Sequence, residues 1–274
     1  MPNIWFITGS SRGLGRHVVL SALDAGDTVV ATARRVSDLD DIVARYGARV
    51  MPISLDVSDP EAVRAAIATC MSTFGRIDYV VNNAGYANLA SVEDMTADDF
   101  REQVETNFFG AVHVSKAVVP IMRRQGSGHI FQIASIGSRI ASVGLAPYQA
   151  SKFAVRAFSL VLAQEVQPLG IQVTTLDPGG MRTEWAGASM RIPAISVNYI
   201  ETVAPFARML RDYSGNEPTD PKKVAKLIVS LAGRRDAPVE LLVGDDAYAF
   251  AQAAADTVAA SDKKWKGLTT SVAY

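Results

Sequence analysis

Cysteine is almost missing from this 274-residue chain: Cys70 stands alone, so no disulfide can close within it. A reducing compartment, the cytoplasm, is the expected setting. Cys70 lies in an alanine-rich helical stretch and reads as a core residue. Histidine is nearly as scarce. His17, His113 and His129 are scattered without metal-ligand spacing, so no metal site is expected. Charge of one sign is missing too. Lys and Arg number 27 against 28 Asp and Glu, a net charge of −1. That balance argues against nucleic acid or an anionic membrane as a partner. No apolar stretch reaches the ~18 residues of a membrane span. The first strand-like run begins at Ile4, which leaves no room ahead of it for a signal peptide. Internal repeats, low-complexity tracts and linkers are also missing. What is present is 49% hydrophobic residues, enough for a sizeable core, in a length that suits one large α/β domain.

Seven short runs read as strands: 4–7, 28–33, 50–55, 79–81, 129–134, 171–176 and 239–243. The first, Ile4-Trp-Phe-Ile7, is apolar throughout, as expected of a strand covered on both faces. Helical patterns fall between the strands. One follows Gly15. Another opens at Ser58-Asp59-Pro60-Glu61, with a capping residue and proline at the first helical position, and runs to about Phe74. A long helix is expected from about Ala97 to Arg124, one from Tyr148 to about Val166, and one from Pro221 to about Ala232. Strands alternating with helices at this spacing predict a doubly wound α/β domain: a parallel sheet of about seven strands, right-handed crossovers, helices on both faces. From 181 to 215 the periodicity lapses until about Val203, as in a partly helical lid over an apolar pocket. Residues 246–274 read as an alanine-rich helix to Ala260, then a polar tail with Lys263, Lys264 and Trp265.

The first strand leads into Thr8-Gly9-Ser-Ser11-Arg12-Gly13-Leu14-Gly15 and then a helix. Glycines let such a turn approach a pyrophosphate, and the helix N-terminus offers unpaired N–H groups. A plain strand–helix connection is the competing reading. The second strand ends in Ala33-Arg34-Arg35. An acidic residue at this distance past the glycines would bind a ribose 2′-hydroxyl. An arginine instead suits a 2′-phosphate, and Arg12 adds a second cation, so two cations and no carboxylate favour NADP over NAD. A solvated strand end is the alternative. Asp56-Val57 closes the third strand, where the aspartate can accept from an adenine amino group. Asn82-Asn83-Ala84-Gly85 closes the fourth and suits close approach of a ligand or a simple turn. Asn107, in an apolar helix, needs partners, structural or functional. Ser135 ends the fifth strand. Tyr148 and Lys152 stand four apart, one helical turn, so a lysine cation lies beside a phenol whose pKa it would lower. Pro178-Gly179-Gly180 closes the sixth strand.

Together these pieces resemble the short-chain dehydrogenase/reductase family, in its hydroxysteroid-dehydrogenase-like branch. They are Thr8-Gly9-x-x-x-Gly13-x-Gly15, Asp56-Val57, Asn82-Asn83-Ala84-Gly85, Asn107, Ser135, Tyr148-x-x-x-Lys152 and Pro178-Gly179, in family order over about residues 4 to 183. The resemblance implies a single Rossmann-type NAD(P)-binding domain over 1–274. It implies Tyr148 as general acid/base, Ser135 as the group polarising the substrate oxygen, Lys152 lowering the Tyr148 pKa and holding the nicotinamide ribose, and Asn107 holding a relay water. Gly9, Ser11, Gly13, Leu14 and Gly15 would line the pyrophosphate. Asp56, Val57, Asn83, Ala84 and Gly85 would line the adenosine side and nearby ribose. Thr183, four after Gly179, would hold the carboxamide, with Met181 on the ring.

The expected activity is interconversion of a ketone and a secondary alcohol on a small apolar substrate, in a homodimer or homotetramer. The ending departs from the family's short Asp-Gly-Gly form: Leu241-Leu-Val-Gly244-Asp245-Asp246-Ala247 leads into a further helix, which questions assembly through the usual C-terminal interface. Two other functions fit less well. A non-catalytic NADP(H)-sensing protein would be expected to lose the tyrosine or lysine, and this chain keeps both. A same-fold dehydratase or epimerase shares the serine–tyrosine–lysine set.

Overall fold

Alternation along the first strand decides where the rest of the chain packs. In β1 (Ile4–Ile7), Trp5 and Ile7 point into one core and Ile4 and Phe6 into the other, because successive strand residues face opposite ways. A computed structural model describes residues 2–187 and 189–273; Met1, Ala188 and Tyr274, which the expected domain and lid include, lie outside the described residues. The further strands are β2 (Thr28–Ala33), β3 (Val50–Ser54), β4 (Tyr79–Asn82), β5 (Gly128–Ile133), β6 (Ile171–Pro178) and β7 (Glu240–Val243). All pair in parallel, in the spatial order β3-β2-β1-β4-β5-β6-β7.

The helices are α1 (Gly13–Asp24), α2 (Asp40–Tyr46), α3 (Pro60–Phe74), α4 (Ala97–Val104), α5 (Gly110–Gln125), α6 (Ala146–Val166), α7 (Val203–Tyr213), α8 (Pro221–Leu231) and α9 (Asp245–Thr270). Helices α1, α2 and α8 cover one face; α3, α5 and α6 cover the other. This is the Rossmann-type arrangement that the alternation predicted. After β3 at one edge the chain crosses back to place β4 beside β1. The order therefore reverses at the C-terminal ends of β1 and β4, and a crevice opens there.

Local chemistry sets several boundaries. Asp59 caps α3 by accepting the N–H groups of Glu61 and Ala62, with Pro60 next. Cys70 is buried, and burial pushes its thiol up to about 12, so it is packing rather than chemistry. His129 is buried against Phe131 with ring centroids 4.0 Å apart, and its Nε2 lies 2.9 Å from Thr174 Oγ1. Burial pulls that imidazole down to about 4.

Two expected helices differ. The rod from Ala97 to Gln125 is not uniform: α4 passes into a π-helical turn, Glu105–Phe109, before α5. Asn107 sits in that wider turn, where the extra residue redirects its side chain. The polar tail is helical as well, since α9 continues to Thr270. Lys263, Lys264 and Lys266 are good helix formers. No helix among the described residues is long and apolar enough to cross a membrane.

Candidate active site

The crevice is a cleft of about 1010 Å³. One end is built from the glycine turn. Gly9 and Gly13 hold φ of +66° and +55°, the left-handed region that favours glycine. Thr8 Oγ1 accepts the N–H groups of Asn83 (3.0 Å) and Ala84 (3.1 Å), and Asn83 Nδ2 donates to the carbonyls of Thr8 (3.0 Å) and Gly9 (3.1 Å). The β4 end therefore clamps the β1 turn. A Cβ at Gly9 would stand 2.9 Å from Ala84 Cα, so backbone passes backbone without room for side chains. Helix α1 starts here with no side-chain cap. Its first N–H groups are left for an anion. Arg12 and Arg34 line this end, and among the described residues neither guanidinium has a hydrogen-bond or ion-pair partner.

The floor is made by the β5 end and α6. Ser135 Oγ accepts the Gly137 N–H at 3.0 Å and lies beside the Tyr148 ring. Tyr148 and Lys152 are 8% and 5% exposed. Lys152 Nζ donates to the Ile133 carbonyl at 2.7 Å and lies 5.8 Å from the Tyr148 ring centroid. Burial pushes the phenol up to about 12, against the opposing pull of the nearby Ser135 hydroxyl. Burial also brings the lysine down to about 8, opposed by Asp177. The four-residue spacing predicted a lowered tyrosine. In the structure desolvation decides the direction, and it acts on both groups by disfavouring charge.

The structure gathers most of the residues singled out from the sequence. Gly9, Ser11, Arg12, Gly13, Leu14, Arg34, Asp56, Val57, Asn83, Ala84 and Gly85 line one half of the cleft. Ser135, Tyr148, Lys152, Pro178, Gly179, Met181 and Thr183 line its middle. Asp56 Oδ1 also accepts from the Ser58 N–H and hydroxyl.

Three residues stand back from the wall. Gly15 lies beneath the turn, where a side-chain carbon would collide with the Gly9 carbonyl. Arg35, expected beside Arg34 as a phosphate ligand, pairs with Asp38 outside the cleft, because neighbouring residues at a strand end point opposite ways. Asn107 is 2% exposed and holds the Tyr86 backbone from both sides: Oδ1 accepts its N–H at 2.9 Å and Nδ2 donates to its carbonyl at 2.8 Å. Nδ2 also reaches Ser151 Oγ, which donates to the Tyr148 carbonyl. Asn107 thus braces the turn of α6 that carries the tyrosine.

The far half is apolar, with Trp185, Phe206, Met209, Leu210 and Phe250 on its walls. The Trp185 ring centroid lies 5.1 Å from that of Tyr148, tilted by 56°. Sequence reasoning missed Asp246 and Phe250, which α9 brings to the cleft. Asp246 Oδ2 accepts the Gly180 N–H at 2.7 Å, and its other oxygen is buried against Gly179 with no partner. Acidic residues opening a helix are common for dipole reasons alone, so the sequence carried no distinct signal. No group of metal-ligating side chains occurs among the described residues.

Comparison with known proteins agrees with this geometry. The short chain dehydrogenase family model matches residues 3–191. Oxidoreductase BOA17 of Botryotinia fuckeliana is 52% identical over 270 residues, 98% of each chain. A short-chain dehydrogenase from Streptomyces avermitilis superposes with a TM-score of 0.94 at 35% identity over 100% of both chains. ElxO, solved with NADP bound, superposes with a TM-score of 0.73 at 25% identity over 89% of this chain and 97% of its own. With the glycine turn, the serine–tyrosine–lysine floor and these relatives in agreement, this chain belongs to the short-chain dehydrogenase/reductase family and is an oxidoreductase of it.

Proposed function

We propose that the protein is an NADPH-dependent reductase of a small apolar ketone, or the reverse secondary-alcohol dehydrogenase. The observation that carries the reading is the buried Tyr148 phenol beside Ser135, with the Lys152 ammonium one helical turn below.

The cleft fits a nicotinamide dinucleotide. The uncapped α1 N-terminus suits the pyrophosphate. Arg12 and Arg34, with Ala33 where a carboxylate would bind a free 2′-hydroxyl, suit a 2′-phosphate. A nicotinamide held there would supply or take the hydride. The chain's own residues manage the proton. Burial keeps Tyr148 protonated through neutral pH, so it holds a proton for the substrate oxygen. The Gly137 N–H occupies one acceptor site of Ser135 Oγ. Its hydroxyl proton then remains to donate to the same oxygen. As Tyr148 loses its proton, the Lys152 ammonium stabilises the phenolate. A lysine lowered toward 8 is also able to pass a proton on. Asn107 Oδ1 uses one of its lone pairs on Tyr86, and the other is assigned to a relay water between Lys152 and solvent. Residues 181–215 act as the lid, and Thr183 would hold the carboxamide, with Met181 on the ring. A single buried cysteine supports a cytoplasmic setting.

Turnover of a panel of apolar ketones with NADPH tests this. Tyr148→Phe should lower kcat by roughly 10²–10⁴-fold, the usual share of a general acid, with NADPH affinity retained. Full activity in that variant, or product formed without stoichiometric NADPH consumption, overturns the mechanism.

A further inference from the structure

Helix α9 is longer than the body it rests on. Its first turns are seated: Ala247 is fully buried and Ala251 is 8% exposed. From Gln252 to Ala273 every described residue is exposed except the half-buried Ala254. The helix continues 19 residues beyond Ala251, to Thr270, a projection of about 28 Å at ~1.5 Å per residue. A solvated helix of that kind should be polar all round. This one carries Val258, Trp265 and Leu268 at 59%, 53% and 69% exposure.

These residues are not scattered. From Ala247 and Ala251 the series continues through Ala254, Val258, Ser261, Trp265, Leu268 and Val272, alternating four- and three-residue steps without a break. That is the heptad spacing of a helix–helix seam. The face packed on the body thus runs past its edge and stays apolar where nothing lies beneath it.

Two features name the occupant. Beyond the buried Ala251 the free seam is small at its start (Ala254) and large at its end (Trp265, Leu268). Charge follows the same division. Past the seated turns, residues 252–262 carry Asp256 and Asp262 and no lysine or arginine; residues 263–273 carry Lys263, Lys264 and Lys266 and no acid. The helix dipole accounts for charges in the first and last turns only, whereas Asp256, Asp262 and Lys263 lie well inside. A surface that is small and acidic at one end and large and basic at the other complements itself when turned end for end. That is the requirement of a two-fold, isologous interface.

We propose that the projecting part of α9 pairs antiparallel with α9 of a second copy of this chain. In the register that follows from the spacing, Trp265 of each copy lies over Ala254 of the other, and Val258 over Ser261. Asp246 and Phe250 reach the cleft from the same helix, so the pairing also steadies the wall beside Gly179 and Gly180.

Sedimentation equilibrium of the full-length protein tests this. Trp265→Glu together with Leu268→Glu should halve the particle mass at equal concentration, with the circular dichroism of the body retained. Reversing the three lysines (Lys263→Glu, Lys264→Glu, Lys266→Glu) should do the same. So should reversing two acids (Asp256→Lys, Asp262→Lys). Mixing those two charge variants should restore the wild-type mass through mixed pairs. A wild-type mass unchanged by the Trp265/Leu268 substitutions, or two charge variants that fail to recombine, overturns the proposal.

Discussion

The two halves of the cleft are held in different ways. At the glycine turn, short side chains tie backbone to backbone between adjacent strand ends. Thr8 and Asn83 do this within a few ångströms, and no Cβ fits at Gly9 or Gly15. The far half hangs from long side chains. Arg211 donates to the carbonyls of Ala186, Gly187 and Met190. Arg191 pairs with Asp99, and the Tyr199 hydroxyl donates to Glu93 at 2.6 Å. Trp185 Nε1, Ser189 Oγ and Ser196 Oγ are buried there without partners among the described residues. Unmet groups cost roughly 1–3 kcal/mol each, so this half gains by rearranging, while at the other end the unmet Thr32 Oγ1 and Asn82 Oδ1 sit on strands whose pairing holds them in place. The comparison teaches where rigidity belongs: the dinucleotide end is fixed by strand register, and the substrate end adapts.

The strongest way to break the rigid half is Gly15→Val. Its Cβ meets the Gly9 carbonyl, and overpacking of this kind costs about 3 kcal/mol. Thermal unfolding and NADPH titration should show lost stability and at least a hundredfold loss of cofactor affinity. His129, on the sheet beneath both halves, provides a control. Its folded pKa is depressed from 6.5 to about 4. The unfolded chain therefore takes up a proton first as pH falls. The stability present above pH 6.5 drains away toward pH 4, by up to about 3 kcal/mol. Denaturant midpoints across that window should flatten in His129→Gln, with both ends of the cleft affected alike. Arg34→Asp sharpens the comparison at a single contact. Losing a charge-assisted bond of about 1.5–3 kcal/mol should shift the NADPH:NADH affinity ratio by roughly 10–100-fold and leave substrate KM alone. Arg211→Ala should do the opposite. It should cost about 1–2 kcal/mol, seen as faster hydrogen exchange over 186–190 and a raised substrate KM at unchanged NADPH affinity.

What could be read from the sequence follows the same division. The seven strands, the glycine turn and the α3 cap rest on interactions within a few residues, and so they show in local pattern. Tyr148 and Lys152 also come from one helix. Arg35 was read with Arg34 because both are cations, but strand geometry sends them apart. Asp246 lies 66 residues from Gly180, and only the pairing of β7 with β6 brings them together. The direction of the Tyr148 shift depends on burial, which spacing does not record. The stretch from 181 to 202 lacks a period because its bonds reach to Arg211 on α7 and to carboxylates far along the chain.

The π-helical turn at Glu105–Phe109 makes chain length itself an informative variable. Each residue of a regular helix advances the phase by about 100°. A single-residue deletion inside 105–109 can restore an ordinary helix and is structurally cheap at that point. It would also rotate Asn107 off the Tyr86 backbone or swing all of α4 around its axis. Substitutions at the same positions keep the phase. In a library that mixes deletions with substitutions, this segment should tolerate frame-shortening as a fold while losing turnover. That inverts the usual expectation that deletions harm stability first.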